Sequence, residues 1–416
     1  MHTDTSADAV AIIGVGCRFA ESPNPTVFWR NLLTGRDCVT RDPGRPTVDL
    51  DNGQRRVAAW ALMPGREKFD ASVIGADGIN DLDTQHGILY ESLWSAFEDA
   101  SVRISAVGDR TAVYAGCART KHVPRTAFDD VVNIDPTFAA TQFSYLHDLR
   151  CESIMVDSTC ATAAVAVHLA CQSLRLRACD YALAGGVAVF GDADGSYTHD
   201  SRSIYSAEGI CRPFDRRATG TVPGDGAGAV LLRRLSDAVT DGDPIHAVIR
   251  ASAVDNDGNA KPGFTIPGIE GKVSVIRKAL AAAGLTGEDI GYFEAHGVGI
   301  PMNDQIEATA LTEALGPAGP PVAVGSVKAS IGHCDTAAAM AALIKAAFVV
   351  RDGFLPATPN TSEPIDELSR YGGRFCIIPE GRPWISDGRP RTAGVMSAGI
   401  GGTNVCLIVE EPPATR

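Results

Sequence analysis

Paired cysteines are missing from this sequence: eleven are scattered along 416 residues, an odd total with no Cys-x-x-Cys. That excludes a disulfide framework, offers no metal-ligand spacing and fits a reducing compartment. Positive charge is also short, with 37 Lys and Arg against 50 Asp and Glu and a formal net charge of −13. With no basic run, nucleic-acid binding is excluded, and an acidic partner has to dock on a local basic patch. Long apolar runs are absent too. The longest, Ala337–Val350, carries Lys345 and is too short to cross a bilayer, so it reads as a buried helix. Met1–Ala9 is polar and acidic, unlike a secretory leader; a cytoplasmic protein without membrane contact is expected.

What is present is a globular composition, 45% apolar and 21% charged, with 43 glycines and Ala-rich helical segments that suit closely packed layers. Ala9–Gly16 is a β-branched run ending in glycines, the pattern of a buried central strand. Further strand-like runs fall at Thr111–Tyr114, Ile154–Val156, Tyr181–Leu183, Ala229–Leu232, Ala247–Ala251, Val322–Val324 and Val405–Val409. Helical patterns at Phe28–Leu33, Gly87–Ala100, Thr162–Leu176, Val273–Ala283, Asp304–Leu315 and Thr336–Val349 lie between them, and the alternation predicts an α/β layered fold.

Two long connections, Pro43–Asp70 and Phe190–Gly220, are of the length at which loops are functional or interfacial. The Asp- and Gly-rich Leu235–Pro244 segment is the candidate boundary between halves at 1–242 and 243–416. An internal echo, Cys160-Ala-Thr-Ala-Ala and Cys334-Asp-Thr-Ala-Ala, opens one Ala-rich helix in each half; it is compatible with related halves and equally with chance. Gly224-Asp-Gly-Ala-Gly228 precedes a strand-like run and lacks a Walker lysine, so it is not read as a nucleotide loop.

The chemistry concentrates around Ile154–Ala164, where an apolar run meets a polar turn and a helix opens at Cys160. Helix N-terminal N–H groups and the macrodipole favour thiolate over thiol, predicting a lowered pKa, and the same N–H groups suit an oxyanion if the sulfur carries an acyl group. Position alone leaves two readings open, a nucleophile and a small buried side chain. His296, in Glu294-Ala-His-Gly-Val-Gly299, and His333, which follows Lys328 in Ser326-Val-Lys-Ala-Ser-Ile-Gly-His333, also sit at strand or helix ends. Either histidine alone reads as a structural residue. A thiol, two imidazoles and an ammonium together suit acyl transfer through a thioester.

These motifs resemble the β-ketoacyl synthases, and among them the ketosynthases of polyketide synthases. Asp157-Ser-Thr-Cys160 is similar to the family's Asp-Thr-Ala-Cys turn, Glu294-Ala-His-Gly to its Glu-Ala-His-Gly, and Gly325-Ser-Val-Lys328 with Gly332-His333 to its Gly-Ser-Val-Lys and Gly-His. The resemblance runs from Ile12-Ile13-Gly14 to Gly401-Gly402-Thr403-Asn404. It implies a thiolase-like fold of two pseudo-symmetric halves in an αβαβα arrangement, a homodimer, and no cofactor beyond substrates carried on the phosphopantetheine of an acyl carrier protein. Cys160 would take the acyl group, with the backbone N–H groups of Cys160 and Ile400 as oxyanion hole. His296 and His333 would hold a malonyl-type extender through decarboxylation. Lys328 would anchor His296 with Glu307 as its ion partner, Asp304 and Asn404 would support the site, and Val298, Ile300, Thr162 and Ile400 would line the pocket.

The chain also departs from that pattern. His296-Gly-Val298-Gly-Ile300 replaces two hydroxyls that commonly hold the phosphopantetheine arm, Ala398 and Ile400 stand where phenylalanines are common, and Ala161, Thr162 and Ala163 replace serines. These changes keep a second activity open, transfer of the acyl group to an oxygen, nitrogen or sulfur nucleophile without decarboxylation. A third reading, a non-catalytic partner subunit, is disfavoured by the retained cysteine. Arg202, Arg212, Arg216 and Arg217, or Lys121 and Arg125, are the expected carrier-docking cluster. No further catalytic or carrier domain follows Glu411, so a stand-alone enzyme, or one excised from a larger synthase, is expected.

Overall fold

The first strand, β1 (Val10–Phe19), is buried along almost its whole length, as its β-branched run predicts. The computed structural model describes residues 9–42, 47–50, 53–75, 82–119, 128–190, 194–386 and 388–414. Beside β1 stand β2 (Thr111–Cys117), β3 (Ser153–Met155), β4 (Tyr181–Ala188) and β5 (Gly226–Arg234). The second half contributes β6 (Ala247–Asn256), β7 (Tyr292–Glu294), β8 (Val322–Gly325), β9 (Phe375–Ile377), β10 (Thr392–Ala398) and β11 (Thr403–Glu410).

Hydrogen bonding links these strands in the order β9-β8-β7-β10-β11-β6-β1-β5-β4-β2-β3. Counted outward from the centre, each half places its first strand, then its fifth, fourth, second and third, with β9 added at one edge. Directions repeat as well. In both halves the inner two pairings are antiparallel and the outer two parallel. The halves meet through β1 and β6, in only three antiparallel pairs, Val10 to Ile12 against Ile249 to Ala247.

Helices fill three apolar layers around this sheet. The principal ones are α1 (Thr84–Asp99), α2 (Thr162–Arg175), α3 (Leu235–Asp241), α4 (Ile269–Ala283), α5 (Pro301–Leu315) and α6 (Ala338–Asp352). Alternation within strands sorts the faces. Val10 and Ile12 of β1 join Val405, Leu407 and Val409 of β11 in the central core with α2 and α6. Ala11 and Ile13 face the outer core built on α1, whereas Cys406 and Ile408 face the one built on α4 and α5. The layering is therefore α1, first half-sheet, α2 with α6, second half-sheet, α4 with α5, the arrangement the resemblance implied. Glycine lets α1 lie close on β1: a Cβ on Gly14 would stand 1.9 Å from the Ala96 carbonyl oxygen, and one on Gly16 2.1 Å from that of Ser92.

Three details differ from the sequence reading. Strands β7 and β10 carry no long β-branched run, because β7 has three residues and β10 is made of small side chains around Gly394. The Leu235–Pro244 segment is largely helical, its Arg234 entry held by Asp237 and Asp180. The two long connections pair with each other: Val48–Asp49, Arg55–Val57 and Tyr197–His199 form a small antiparallel sheet.

Candidate active site

After β3 the chain turns sharply at Thr159, left-handed at φ 53°, and Thr159–Ala161 form one 3-10 turn leading into α2. Thr162 closes the turn by accepting the Ser158 N–H on Oγ1 at 2.8 Å. The 397–402 turn is strapped to it: Ser397 Oγ donates to the Cys160 carbonyl at 3.1 Å, and Thr159 Oγ1 to the Ile400 carbonyl at 3.4 Å. Only glycine fits at 399, where a Cβ would stand 2.4 Å from the Ser158 carbonyl oxygen.

The second half repeats this device. Asp335 is left-handed at φ 41°, Asp335–Ala337 form one 3-10 turn, and α6 follows. By this geometry Asp335 corresponds to Thr159 and Thr336 to Cys160, so the turns repeat but the sequence echo, which set Cys334 against Cys160, misses their register by two residues. Cys334 is fully buried with its thiol on the Asp225 carbonyl at 3.4 Å. Facing turns bring the Cys160 thiol to 3.9 Å from Asp335 Oδ1.

The helix position was expected to lower the Cys160 pKa, and the structure reverses this. Burial first, and the Asp335 carboxylate second, push the thiol up to about 12, against an opposing pull from Lys328 and from its own N–H. Desolvation of the thiolate outweighs the pull of Lys328 and of the Cys160 N–H.

Both imidazoles are held neutral. Burial, then Lys328 and His333, push His296 well below the usual imidazole value, and burial with Lys328 pushes His333 down to about 3. Their rings lie perpendicular, with centroids 5.9 Å apart. His296 Nδ1 accepts the Ala398 N–H at 3.4 Å and His333 Nδ1 accepts the Asp335 N–H at 2.9 Å. With Nδ1 occupied as an acceptor, each neutral ring carries its proton on Nε2. Two N–H donors in a partly desolvated site suit an oxygen that becomes an enolate.

The loop bearing His296 is held from α5. Glu307 accepts the N–H groups of His296 and Gly297 at 2.7 and 2.8 Å, and Asp304 accepts those of Val298, Gly299 and Phe214 at 3.0, 3.1 and 2.8 Å. The expected ion pair between Lys328 and Glu307 is not formed, because both Glu307 oxygens serve these backbone groups. Lys328 Nζ donates instead to the His296 carbonyl at 2.6 Å. Asn404 supports the glycine turn, donating to the Gly402 carbonyl at 3.1 Å and Asp257 at 2.7 Å while accepting from Lys272 at 3.1 Å.

Of the expected pocket residues, Ile400 is half-exposed, Ile300 is partly buried at the start of α5, and Val298 is buried. Thr162 does not line a pocket; it is fully buried, with its methyl against Gly116 of β2. From another loop Phe264, itself largely exposed, lies against Gly401. The expected docking arginines are largely neutralised: Arg212 pairs with Glu208, Arg216 with Asp366, and Arg217 with Asp215 and Glu363. Arg202 remains strongly exposed beside Asp200, and Lys121 and Arg125 lie outside the described residues.

Sequence reasoning assigned no role to Asp335, Ser397 or Glu294. Glu294 accepts the Val327 N–H at 2.6 Å, receives the Tyr292 hydroxyl, and pairs with Lys345 at 2.9 Å, wholly buried. A single lysine in an otherwise apolar helix was the available signal for that pair. Among the described residues, no helix is long and apolar enough to cross a membrane.

A cysteine at the helix-opening turn of one half, its thiol against Asp335 of the other half, whose N–H sits on His333, together with the duplicated layered fold, defines the thiolase-like class. The chain belongs to the β-ketoacyl synthase family: residues 7–238 match the family's N-terminal domain and 246–362 its C-terminal domain. It is similar to ketosynthase twelve of the bacillaene polyketide synthase of Bacillus amyloliquefaciens, with TM-score 0.91 and 30% identity, covering 98% of this chain and 74% of that one. It is 35% identical to one component of the phenolphthiocerol/phthiocerol polyketide synthase of Mycobacterium tuberculosis over 98% of this chain. Polyketide synthase GfsE of Streptomyces halstedii is 37% identical over 98% of this chain. The chain spans 29% and 11% of the length of those two relatives.

Proposed function

We propose that the chain catalyses decarboxylative Claisen condensation in polyketide biosynthesis. The Cys160 sulfur accepts an acyl group from an acyl carrier protein, releasing the carrier's thiol. A malonyl-type extender on a second carrier then binds with its thioester carbonyl on the Nε2–H groups of His296 and His333. Loss of carbon dioxide leaves an enolate on that oxygen, and its carbon attacks the Cys160-bound acyl carbon. The tetrahedral oxyanion is received by the N–H groups of Cys160 and Ile400, and collapse returns the sulfur. The observation that carries this reading is the backbone N–H received by Nδ1 of each imidazole, which leaves the proton of each neutral ring on Nε2.

Other features fit the reading. Glu307 and Asp304 hold the His296 loop so that Nε2 keeps its aim. Strand β3 is an edge strand with Ile154 and the nearby Tyr145 exposed, a surface suited to a second copy of the chain. Eleven free cysteines fit a reducing, cytoplasmic setting.

The test is intact mass and carbon dioxide release. The wild type, given an acyl carrier and a malonyl carrier, should show an adduct on Cys160, release carbon dioxide and extend the chain. Acyl transfer to a heteroatom with no carbon dioxide evolved would replace condensation by the second activity. Cys160→Ala should form no adduct; an adduct on that variant would sink the nucleophile assignment.

A further inference from the structure

Acylation of Cys160 has to remove a proton, and the site's obvious bases are committed elsewhere. The thiol is held protonated at neutral pH, so a thiolate is not waiting at the helix end. Each imidazole has Nδ1 occupied by a backbone N–H and Nε2 protonated, so neither offers a lone pair to the thiol. Lys328 points its donors at the His296 carbonyl. Among the described residues, the side-chain acceptor in contact with Sγ is the Asp335 carboxylate, with Oδ1 at 3.9 Å.

That carboxylate is aimed by the backbone. Asp335 occupies a left-handed conformation that side chains rarely adopt, and its N–H is anchored on His333 Nδ1. The 3-10 turns of the two halves face each other, and the fold's duplication thereby sets an acid opposite the nucleophile. Its charged and titratable neighbours are Cys160, Asp157 on the same turn as the thiol, Tyr205, and His333 and Cys334 just before it in the chain. Burial and the Asp157 charge push Asp335 above the ordinary carboxylate value, which makes it a stronger base than a free carboxylate.

We propose that Asp335 is the general base, and then the general acid, of the acyl-loading half-reaction, which rests on the reading that Cys160 carries the acyl group. As Sγ attacks the thioester carbonyl, the thiol proton passes to Asp335 Oδ1 and the Sγ–C bond forms. The tetrahedral intermediate collapses with cleavage of the carrier's C–S bond, and the proton passes from Asp335 to the departing sulfur. The products are acyl-Cys160, a free pantetheine thiol and the Asp335 carboxylate. His296 and His333 are thereby left to the extender.

The test compares two reactions of the same sulfur in the wild type, Asp335→Asn and Asp335→Glu. One is single-turnover acylation by an acyl-pantetheine thioester, read by intact mass. The other is alkylation by iodoacetamide, which depends on the thiolate and needs no proton returned. Asparagine should slow acylation about 100-fold, within the usual range for a lost acid–base group, while alkylation is unchanged or faster because a negative neighbour has gone. Glutamate should recover at least a tenth of the wild-type acylation rate, and wild-type acylation should show a normal solvent deuterium isotope effect.

Acylation of Asp335→Asn within threefold of the wild type, or a parallel loss of acylation and alkylation in both variants, overturns the assignment. So does an inverse or absent isotope effect, which is measured on the native chain and needs no variant to fold. A wild type that forms no adduct on Cys160 fails at the earlier step and removes the function proposed above as well.

Discussion

The Lys328 ammonium donates to the backbone carbonyl of His296 at 2.6 Å, and among the described residues no carboxylate pairs with it. Its charge is thus directed at the two imidazoles, both of which it pushes down. Lys328→Met should raise the titration midpoints of His296 and His333, read from their ring proton shifts by NMR. It should also lower condensation at least tenfold, because the loop carrying His296 loses its anchor. Unchanged midpoints would remove Lys328 from the electrostatics of the pair.

Thr162 offers a sharper probe of the nucleophile turn. Thr162→Val keeps the shape that packs on Gly116 but leaves the Ser158 N–H without its 2.8 Å acceptor. The expected cost is about 1–3 kcal/mol of unfolding free energy, measured by urea denaturation. If the residue lined the acyl pocket instead, the change would appear in acyl-chain selectivity with stability intact.

The neutral histidines give stability a pH dependence of defined sign. His333 has a folded value near 3, far below the ordinary 6.5 of the unfolded chain, so between these values only the unfolded state takes up the proton. The His333 contribution is therefore full above about pH 6.5 and falls as the solution is acidified, by about 2 kcal/mol at pH 5. His296 acts in the same direction. Denaturant titrations at pH 5 and 7.5 should show this deficit, and His333→Gln should shrink it by about 2 kcal/mol. A deficit unaltered by that variant would assign the acid lability to other groups.

Gly16 tests the packing between α1 and β1. A Cβ there would stand 2.1 Å from the Ser92 carbonyl oxygen, which is helix backbone and cannot rotate aside. Gly16→Ala should destabilise the fold by about 1–3 kcal/mol or more, seen as a lower Tm. An unchanged Tm would mean that the helix can shift without loss.

Much of this architecture is legible in the chain because its signals are local. The β-branched run at Val10–Val15 marks the central strand, and Cys160, His296, Lys328 and His333 each sit in a short motif at the end of an element. What escapes depends on long-range geometry. Nothing in the string tells that Glu307 is turned toward two backbone N–H groups rather than toward Lys328. The thiol's pKa is misjudged because a helix end is visible in sequence, whereas burial and a carboxylate 175 positions away in the chain are not. The ion pairs of the expected docking arginines are legible only in part: Arg212 and Glu208 are near neighbours, but Arg216 meets Asp366 only in the fold.

The strand joint between the halves consists of three residue pairs, Val10–Ile12 against Ala247–Ile249, yet it helps position the thiol on one half relative to both imidazoles on the other. A chimaera that exchanged one half for that of a relative would inherit every reactive group and still misplace them by any error at this hinge. Evolution of substrate range in such a scaffold is therefore freest where the two copies do not touch, and most constrained along this short ribbon and in the central layer that α2 and α6 share.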